Sequence, residues 1–216
     1  MPTNIYLCSP KKFEGVISLP MITFQMIAQS LDLEEFDTLL FSSKQAVFFT
    51  DKLNPKWKEK FIIAVGPATK EKALELGATN IYYPKEFYGE KLAQDIIEKF
   101  KNKKILYPRP NVISFDHKSF LEQYNIAIEE KIIYKTTCKE YQNTKLKPNS
   151  IIIFTSPSTI QCFFKNFKWD KSFQAIVIGK TTLKNIPKEV EKVFIAKEPT
   201  IKACVEKAKE VAKSLS

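Results

Sequence analysis

The chain has 216 residues, 44% of them hydrophobic, and a formal net charge of +10, enough for one large domain or two of about 100 residues. No apolar run approaches the roughly 20 residues that a membrane span needs, and the start, MPTNIYLCSPKK, does not read as a signal peptide. Arg109 is the only arginine and the lysines are dispersed, which disfavours nucleic-acid readout through bidentate guanidinium contacts and leaves a positive field suited to an acidic small molecule.

In chain order, the first buried strand is expected at 5–7. The stretch 15–26, GVISLPMITFQM, is extended in character, and Pro20 confines it to an edge or linker strand. Strands at 38–41, 61–65, 81–83 and 104–107 then alternate with helices at 44–49, 70–76, 91–99 and 115–124, and Gly77 stands where a left-handed helix cap belongs. Residues 129–142, EEKIIYKTTCKEYQ, carry β-branched and aromatic side chains without a helical period. Strands at 151–154, 175–178 and 193–196 follow, alternating with helices at 158–164, 183–186 and 201–212. Such alternation builds parallel sheets. Cys8, Cys138, Cys162 and Cys204 form no C-x-x-C pair and are expected to be separate reduced thiols of a cytoplasmic protein.

An internal repeat organises these elements. FSSKQAVFF starts at Phe41 and FTSPSTIQCFF at Phe154, 113 positions later; Gly66 and Gly179 are also 113 apart, as are Thr69 and Thr182. In a chain with five glycines, two at a shared offset carry weight. PKEFYGEKLAQDI from Pro84 and KEPTIKACVEKA from Lys197 form a looser third pair. The reading is two copies of a β-loop-α, β-loop-α, β-loop-α unit. The two extended segments flank the first copy and can pair, which inserts that copy into the other domain. The expected fold class is therefore α/β: two similar small domains with parallel, flavodoxin-like sheets, joined by a two-stranded linker ladder. Residues 1–19 and 139–216 are expected to form domain 1, 27–130 an inserted domain 2, and 20–26 and 131–138 the linker strands.

The repeat places Ser, Thr or Gly after a strand and before a helix. Open α/β sheets bind ligands there, and helix N-termini offer unpaired N–H groups and partial positive charge to carboxylate or phosphate. The candidate loops are Ser42-Ser43-Lys44, Gly66-Pro67-Ala68-Thr69, Thr155-Ser156-Pro157-Ser158 and Gly179-Lys180-Thr181-Thr182. Each also reads as an ordinary helix start, because Ser and Thr cap helices and Pro suits the first turn. Four such loops from two matching domains are expected to face one cleft. If they are exposed, an acidic residue at Thr69 or Thr182 should weaken binding without unfolding the chain. Gly179-Lys180-Thr181 mimics the end of a P-loop, but the motif's first glycine falls on Gln174 and 175–178 is a strand, so nucleotide binding is not expected. His117 is the only histidine, in a polar helical stretch, and the cysteines are scattered; no metal is expected, and no cofactor of any kind.

These residues resemble a known family. FSSKQAV and AVGPATKEKALELGA in the first copy, IIYKT in the linker, and FTSPST, VIGKTT and AKEPTIKA in the second follow, in order, the pattern of uroporphyrinogen-III synthases through almost the whole chain. The resemblance implies two α/β domains on a two-stranded ladder with the active site in the cleft between them. It implies the substrate hydroxymethylbilane, whose pyrroles carry acetate and propionate groups. The implied chemistry is loss of the terminal hydroxyl as water, a reactive azafulvene, a spiro intermediate, and ring closure with ring D inverted. Carried over residue by residue, the family's linker tyrosine is Tyr134, donating to the leaving hydroxyl. The main-chain carboxylate contacts are the four loops together with Glu198, Pro199 and Thr200, and Arg109 completes the candidate substrate contacts. A monomer is expected, with neither nucleic acid nor membrane as partner. Two departures stand out: 8–14 is too short for the helix that usually follows the first strand, and Lys180 replaces a common proline, either adding a cation to the site or facing solvent. The competing reading is a two-lobed protein that binds an anionic ligand without chemistry.

Overall fold

The computed structural model describes residues 3–84 and 89–214. Residues 85–88, within the PKEFYGEKLAQDI repeat, lie outside the described residues. The chain divides into two compact units, Met1–Thr23 with Thr137–Ser216 as unit 1 and Phe24–Thr136 as unit 2. In chain order the elements begin with β1 (Ile5–Cys8), β2 (Ile17–Ser18), β3 (Ile22–Met26), β4 (Thr38–Phe41), α1 (Lys44–Leu53), β5 (Phe61–Ala64), α2 (Pro67–Glu75) and β6 (Ile81–Tyr82). There follow α3 (Gly89–Lys99), β7 (Ile105–Pro110), α4 (His117–Glu122), β8 (Ile128–Cys138), β9 (Ile151–Phe154), α5 (Pro157–Asn166), β10 (Gln174–Val177), α6 (Lys180–Leu183), β11 (Val193–Ile195) and α7 (Ile201–Ser214).

The sheet of unit 1 runs β11-β10-β9-β1-β2, and every pairing is parallel. Counted along its own chain, that is the flavodoxin-like order 2-1-3-4-5. The other sheet runs β3-β8-β7-β4-β5-β6, parallel from β8 to β6. From β4 onward its order is 3-2-1-4-5, the same spatial plan started at a different strand. Beside its central strand β9, unit 1 places β1, from the N-terminal stretch, where unit 2 places β7 beside β4. The 113-residue offset holds element by element: β4 and β9, β5 and β10, and α1 and α5 begin and end that far apart. Beside β8 lies β3; Lys139 N–H donates to Met21 O and Ile27 N–H to Ile133 O, so this ladder is antiparallel. No helix is formed between β1 and β2.

Strand alternation divides the core of unit 2. Leu39, Phe41, Ile62 and Leu106 meet Ala46, Val47 and Phe49 of α1 on one face. Leu40, Ile63, Ile105 and Tyr107 meet Leu92, Ala93 and Ile96 of α3 and Leu121 of α4 on the other. Central parallel strands are covered on both faces, so their sequences read as unbroken apolar runs. Several helix boundaries differ from expectation: α1 runs four residues past the expected 49, and α2 starts at 67 rather than 70. α4 starts late because Asp116 accepts the Ser119 N–H and fixes the cap. α6 likewise begins three residues before the expected 183; Gly179 is its N-cap, as Gly66 is for α2, and neither glycine has a side chain to mark the start. Gly77 has φ +99 after α2, as a left-handed cap requires.

The cysteine expectation is corrected. Cys138 and Cys162 form a disulfide across a sequence separation of 24, whereas Cys8 and Cys204 are free and buried. Spacing could not reveal the pair, because its members lie at the end of β8 and in the middle of α5. Docking of α5 brings them together. One helical turn beyond Cys162, Asn166 accepts from the Tyr141 N–H and donates to Lys139 O, so one face of the helix grips the segment that follows Cys138. Closing a loop of this length stabilises a fold by about 3 kcal/mol through the unfolded state. Cys138→Ser should therefore lower the unfolding free energy by that order, read as a lower denaturant midpoint. In denaturant without reductant the wild type should show two titratable thiols; a count of four would mean that the pair does not form.

Candidate functional site

Parallel strands deliver their carboxyl ends to one edge of each sheet. In unit 2 the order of the strands reverses between β4 and β7, the position at which open α/β sheets hold ligands. β4 leads directly into Ser42 and Ser43. Ser43 is the N-cap of α1, accepting the Ala46 N–H at 3.1 Å. Its Oγ also lies 2.8 Å from the Tyr134 hydroxyl. Ser42 makes no cap; its Oγ accepts a 2.8 Å hydrogen bond from Tyr107. The two adjacent serines thus each meet a different tyrosine, one from β7 and one from β8.

Tyr134 is 3% exposed and packs within the α1-side cluster, its ring against Phe24 and Phe49. Burial raises the phenol pKa above its ordinary value and the Ser43 hydrogen bond partly opposes this, so Tyr134 is a neutral donor at physiological pH. Tyr107, 1% exposed, was not among the sequence candidates. Burial pushes its phenol up to about 12. A tyrosine ending a strand beside a serine loop was the available signal, but a strand of buried residues gives no reason to single out one aromatic.

Arg109 lies past Tyr107 on β7, at a register shift between Arg109 and Pro110 where prolines remove ladder donors. Its Nε is 2.9 Å from Glu130 Oε2, both side chains being 15% exposed, but the N–H direction misses that oxygen; the contact is an ion pair rather than a hydrogen bond. Arg109 Nη1 donates to Pro110 O. The only arginine is thus tied to its own sheet. His117, read as lying in a polar stretch, is buried, with its ring edge-on to Tyr107 and Phe115.

The other loops occupy the helix starts. Pro67 and Ala68 are exposed, as are Lys180 and Thr181. Thr69 and Thr182 are buried, at 4% and 3% exposure. This overturns the expectation that an acidic residue at either would be harmless to folding: a carboxylate there loses its hydration without a partner. In unit 1, Ser156 and Thr159 form a capping box on α5, and Thr159 Oγ1 also accepts from the Thr155 and Ser156 N–H groups. Pro157 and Ser158 follow, half-buried in the first turn. Glu198, Pro199 and Thr200 are exposed ahead of α7, and Thr200 Oγ1 accepts the Ala203 N–H. Gln174 starts β10, so no phosphate loop precedes Gly179. Among the described residues no cluster of three or more His, Cys, Asp or Glu is placed to hold a metal, and no helix is long and apolar enough to cross a membrane.

Fold and loops define a class: a two-unit α/β protein that offers hydroxyl and N–H donors at the carboxyl ends of parallel strands, a chemistry suited to carboxylates. The sequence model described as "Uroporphyrinogen-III synthase HemD" matches residues 11–206, and the chain belongs to the uroporphyrinogen-III synthase family. Its fold is similar to the crystal structure of uroporphyrinogen-III synthetase from Helicobacter pylori 26695, with 24% identity, a TM-score of 0.83 and coverage of 97% of this chain and 99% of that one. A mutant uroporphyrinogen III synthase from the extremely thermophilic bacterium Thermus thermophilus shares the fold at 10% identity and a TM-score of 0.57, covering 99% and 100%. No curated protein matches the chain. The family's activity is cyclisation of hydroxymethylbilane to uroporphyrinogen III, a lyase reaction that needs no cofactor, and it is the activity of this chain.

Burial also gives the site a pH signature. The His117 imidazole is pushed down to about 4 from 6.5, so the folded protein keeps it neutral where the unfolded chain protonates it. Between these values the unfolded state binds more protons, and stability rises with pH. The contribution is complete above about 6.5 and is lost as pH falls toward 4, a change on the order of 3 kcal/mol. Urea midpoints between pH 4.5 and 7 should climb steeply in the wild type and less so in His117→Phe. An equal slope in both would assign the titration to other groups.

Proposed function

We propose that the loops at the strand ends hold the substrate's acetate and propionate groups and that Tyr134 assists departure of its hydroxyl. The loops are Ser42–Lys44, Gly66–Thr69, Thr155–Ser158 and Gly179–Thr182, together with Pro199 and Thr200. The observation that carries the reading is the Tyr134–Ser43 contact at 2.8 Å. It ties the linker tyrosine to a carboxylate-binding loop within one unit. A helix N-terminus supplies N–H donors to anions; α6 is only four residues long and contributes donors and the Lys180 cation rather than a sizeable dipole. Arg109, paired to Glu130, acts on the substrate only indirectly, and a single engaged guanidinium supports the absence of a nucleic-acid partner. The protein works as a monomer in the cytoplasm, where the Cys138–Cys162 pair would meet a reducing pool.

In the productive arrangement Ser43 donates to the Tyr134 oxygen and leaves the phenol proton for the substrate. Ser43 can do so because it accepts the Ala46 N–H through a lone pair and keeps its own proton. Electron density from the terminal pyrrole expels the hydroxyl, which leaves as water; the proton it gains is balanced by the N–H proton the pyrrole gives up as the neutral azafulvene forms, and the azafulvene is attacked to close the ring. Tyr134 stabilises the departing oxygen by hydrogen bonding; with its pKa raised by burial it is a donor rather than a strong acid. Much of the reactivity belongs to the substrate, and the loops fold it so that ring D inverts.

The test of the activity is incubation of the purified protein with hydroxymethylbilane and separation of the uroporphyrin isomers after oxidation; a type I product at the uncatalysed rate would refute it. For the catalytic group, Tyr134→Phe keeps the packed ring and removes one donor. Turnover should fall by about tenfold, less than the roughly hundredfold at which a positioned acid or oxyanion donor usually begins, because the substrate loses its hydroxyl readily; the type III isomer should still dominate. Full turnover would remove Tyr134 from the chemistry. For the loops, Ala68→Glu and Thr181→Glu place carboxylates at exposed positions. KM should rise in both, more at low salt than at high, with the melting temperature unmoved; an unchanged KM in either excludes that loop from the site.

A further inference from the structure

The two serines after β4 are divided by strand geometry. Side chains alternate along an extended chain, so Ser42 continues the side of Leu40, toward α3 and α4, and Ser43 the side of Phe41, toward α1. Tyr107 belongs to the first core and Tyr134 to the second. Each phenol meets the serine on its own side. Ser43 is the N-cap, and the resemblance assigned a role to its tyrosine. The hydroxyl of Tyr107 has no part in that chemistry.

We propose that Tyr107 is a positioning residue: by donating its proton to Ser42, it leaves the Ser42 hydroxyl aimed as a donor at a substrate carboxylate. This rests on the reading of Ser42 as a substrate contact. A serine hydroxyl has one proton and two lone pairs. With Tyr107 as donor at 2.8 Å, one lone pair is filled, and the serine proton cannot point along the same line. Ser42 is not the cap of α1, so no helix N–H competes for its oxygen; it is half-buried, hence within reach of a ligand. Tyr107 keeps its proton at any working pH, because burial pushes the phenol up to about 12. His117 fixes the ring from its edge, at 5.4 Å between centroids, and stays neutral while it does so. A donor held in advance loses no orientation entropy when the ligand arrives.

The duplicated unit shows that the fold does not require this hydroxyl. By register, Ile105 pairs with Thr38 in unit 2 as Ile5 pairs with Ile151 in unit 1. Two residues on, the place of Tyr107 is taken by Leu7, which is fully buried. The same architecture forms with an apolar side chain there. A buried phenol needs a partner, so Tyr107 brings a requirement that leucine does not, and Ser42 meets it.

The experiment is a double-mutant cycle of Tyr107→Phe and Ser42→Ala, with KM and kcat measured on hydroxymethylbilane and thermal melting of every variant. Tyr107→Phe should raise KM about two- to tenfold, the equivalent of one net hydrogen bond, and change kcat by less than about twofold. Ser42→Ala should raise KM at least as much, and the double variant should be no worse than Ser42→Ala alone. If Ser42→Ala raises KM and Tyr107→Phe does not, the positioning role is overturned and the loop reading stands. Additive effects in the double variant also overturn it, because Tyr107 then acts other than through Ser42. An unchanged KM in Ser42→Ala removes both the positioning role and the Ser42 contact.

Discussion

A parallel strand has a direction, and in a sheet of parallel strands every carboxyl end arrives at the same edge. The other features of the candidate site depend on that constraint. The helices that follow the strands must start there, so their unsatisfied N–H groups collect along one edge of each sheet. Hydroxyls that cap those helices collect with them. An antiparallel sheet of the same composition would divide Ser42, Gly66 and Tyr107 between two ends. The parallel arrangement also forces both faces to be covered, which buries Tyr107 and Tyr134 on opposite faces of one sheet while their hydroxyls reach neighbouring residues.

The two units use this edge differently. In unit 1 the loop after β9 is closed on itself: Ser156 and Thr159 cap each other, and Thr159 also takes the Thr155 N–H. In unit 2 the residues matching Thr155 and Ser156 are Ser42 and Ser43, and each meets a phenol, Ser43 while also capping α1. Duplication preserved the lengths of β4 and β9, β5 and β10, and α1 and α5 to the residue, yet the side chains at the edge diverged. Divergence is cheapest there, because loop residues carry little of the core, and a chemical asymmetry between the copies is what a substrate with one reacting end requires.

Much of the fold was legible because it rests on local rules. Apolar runs marked the central strands within a residue or two, Gly77 marked a left-handed cap, and the shared offset of Gly66 and Gly179 revealed the duplication. The starts of α2 and α6 were both missed by three residues, because their N-caps, Gly66 and Gly179, carry no side-chain signal and their first turns little apolar pattern. The disulfide was illegible because Cys138 and Cys162 meet only when α5 docks. The depth of Thr69 and Thr182 was misread because capping rules locate a helix start without saying which side of it faces the sheet. His117 was misread in the same way: a polar neighbourhood in sequence became an aromatic one in space. The candidate loops were legible as strand ends leading into helix starts, whereas the pairing of Ser42 with Tyr107 required the register of β4 and β7.

The route of the chain through unit 1 bears on its biosynthesis. β1 pairs with β9 residue for residue, from Ile5 with Ile151 to Cys8 with Phe154. On the ribosome the first strand therefore emerges long before its central neighbour exists. At roughly 5–20 residues per second, the wait is on the order of ten seconds, during which unit 2, whose strands are contiguous in sequence, can fold. For that interval the nascent chain carries an apolar strand with unpaired edges, a template for mispairing or for a chaperone. Completing the sheet of unit 1 then waits on the closure of a long loop by two short strands.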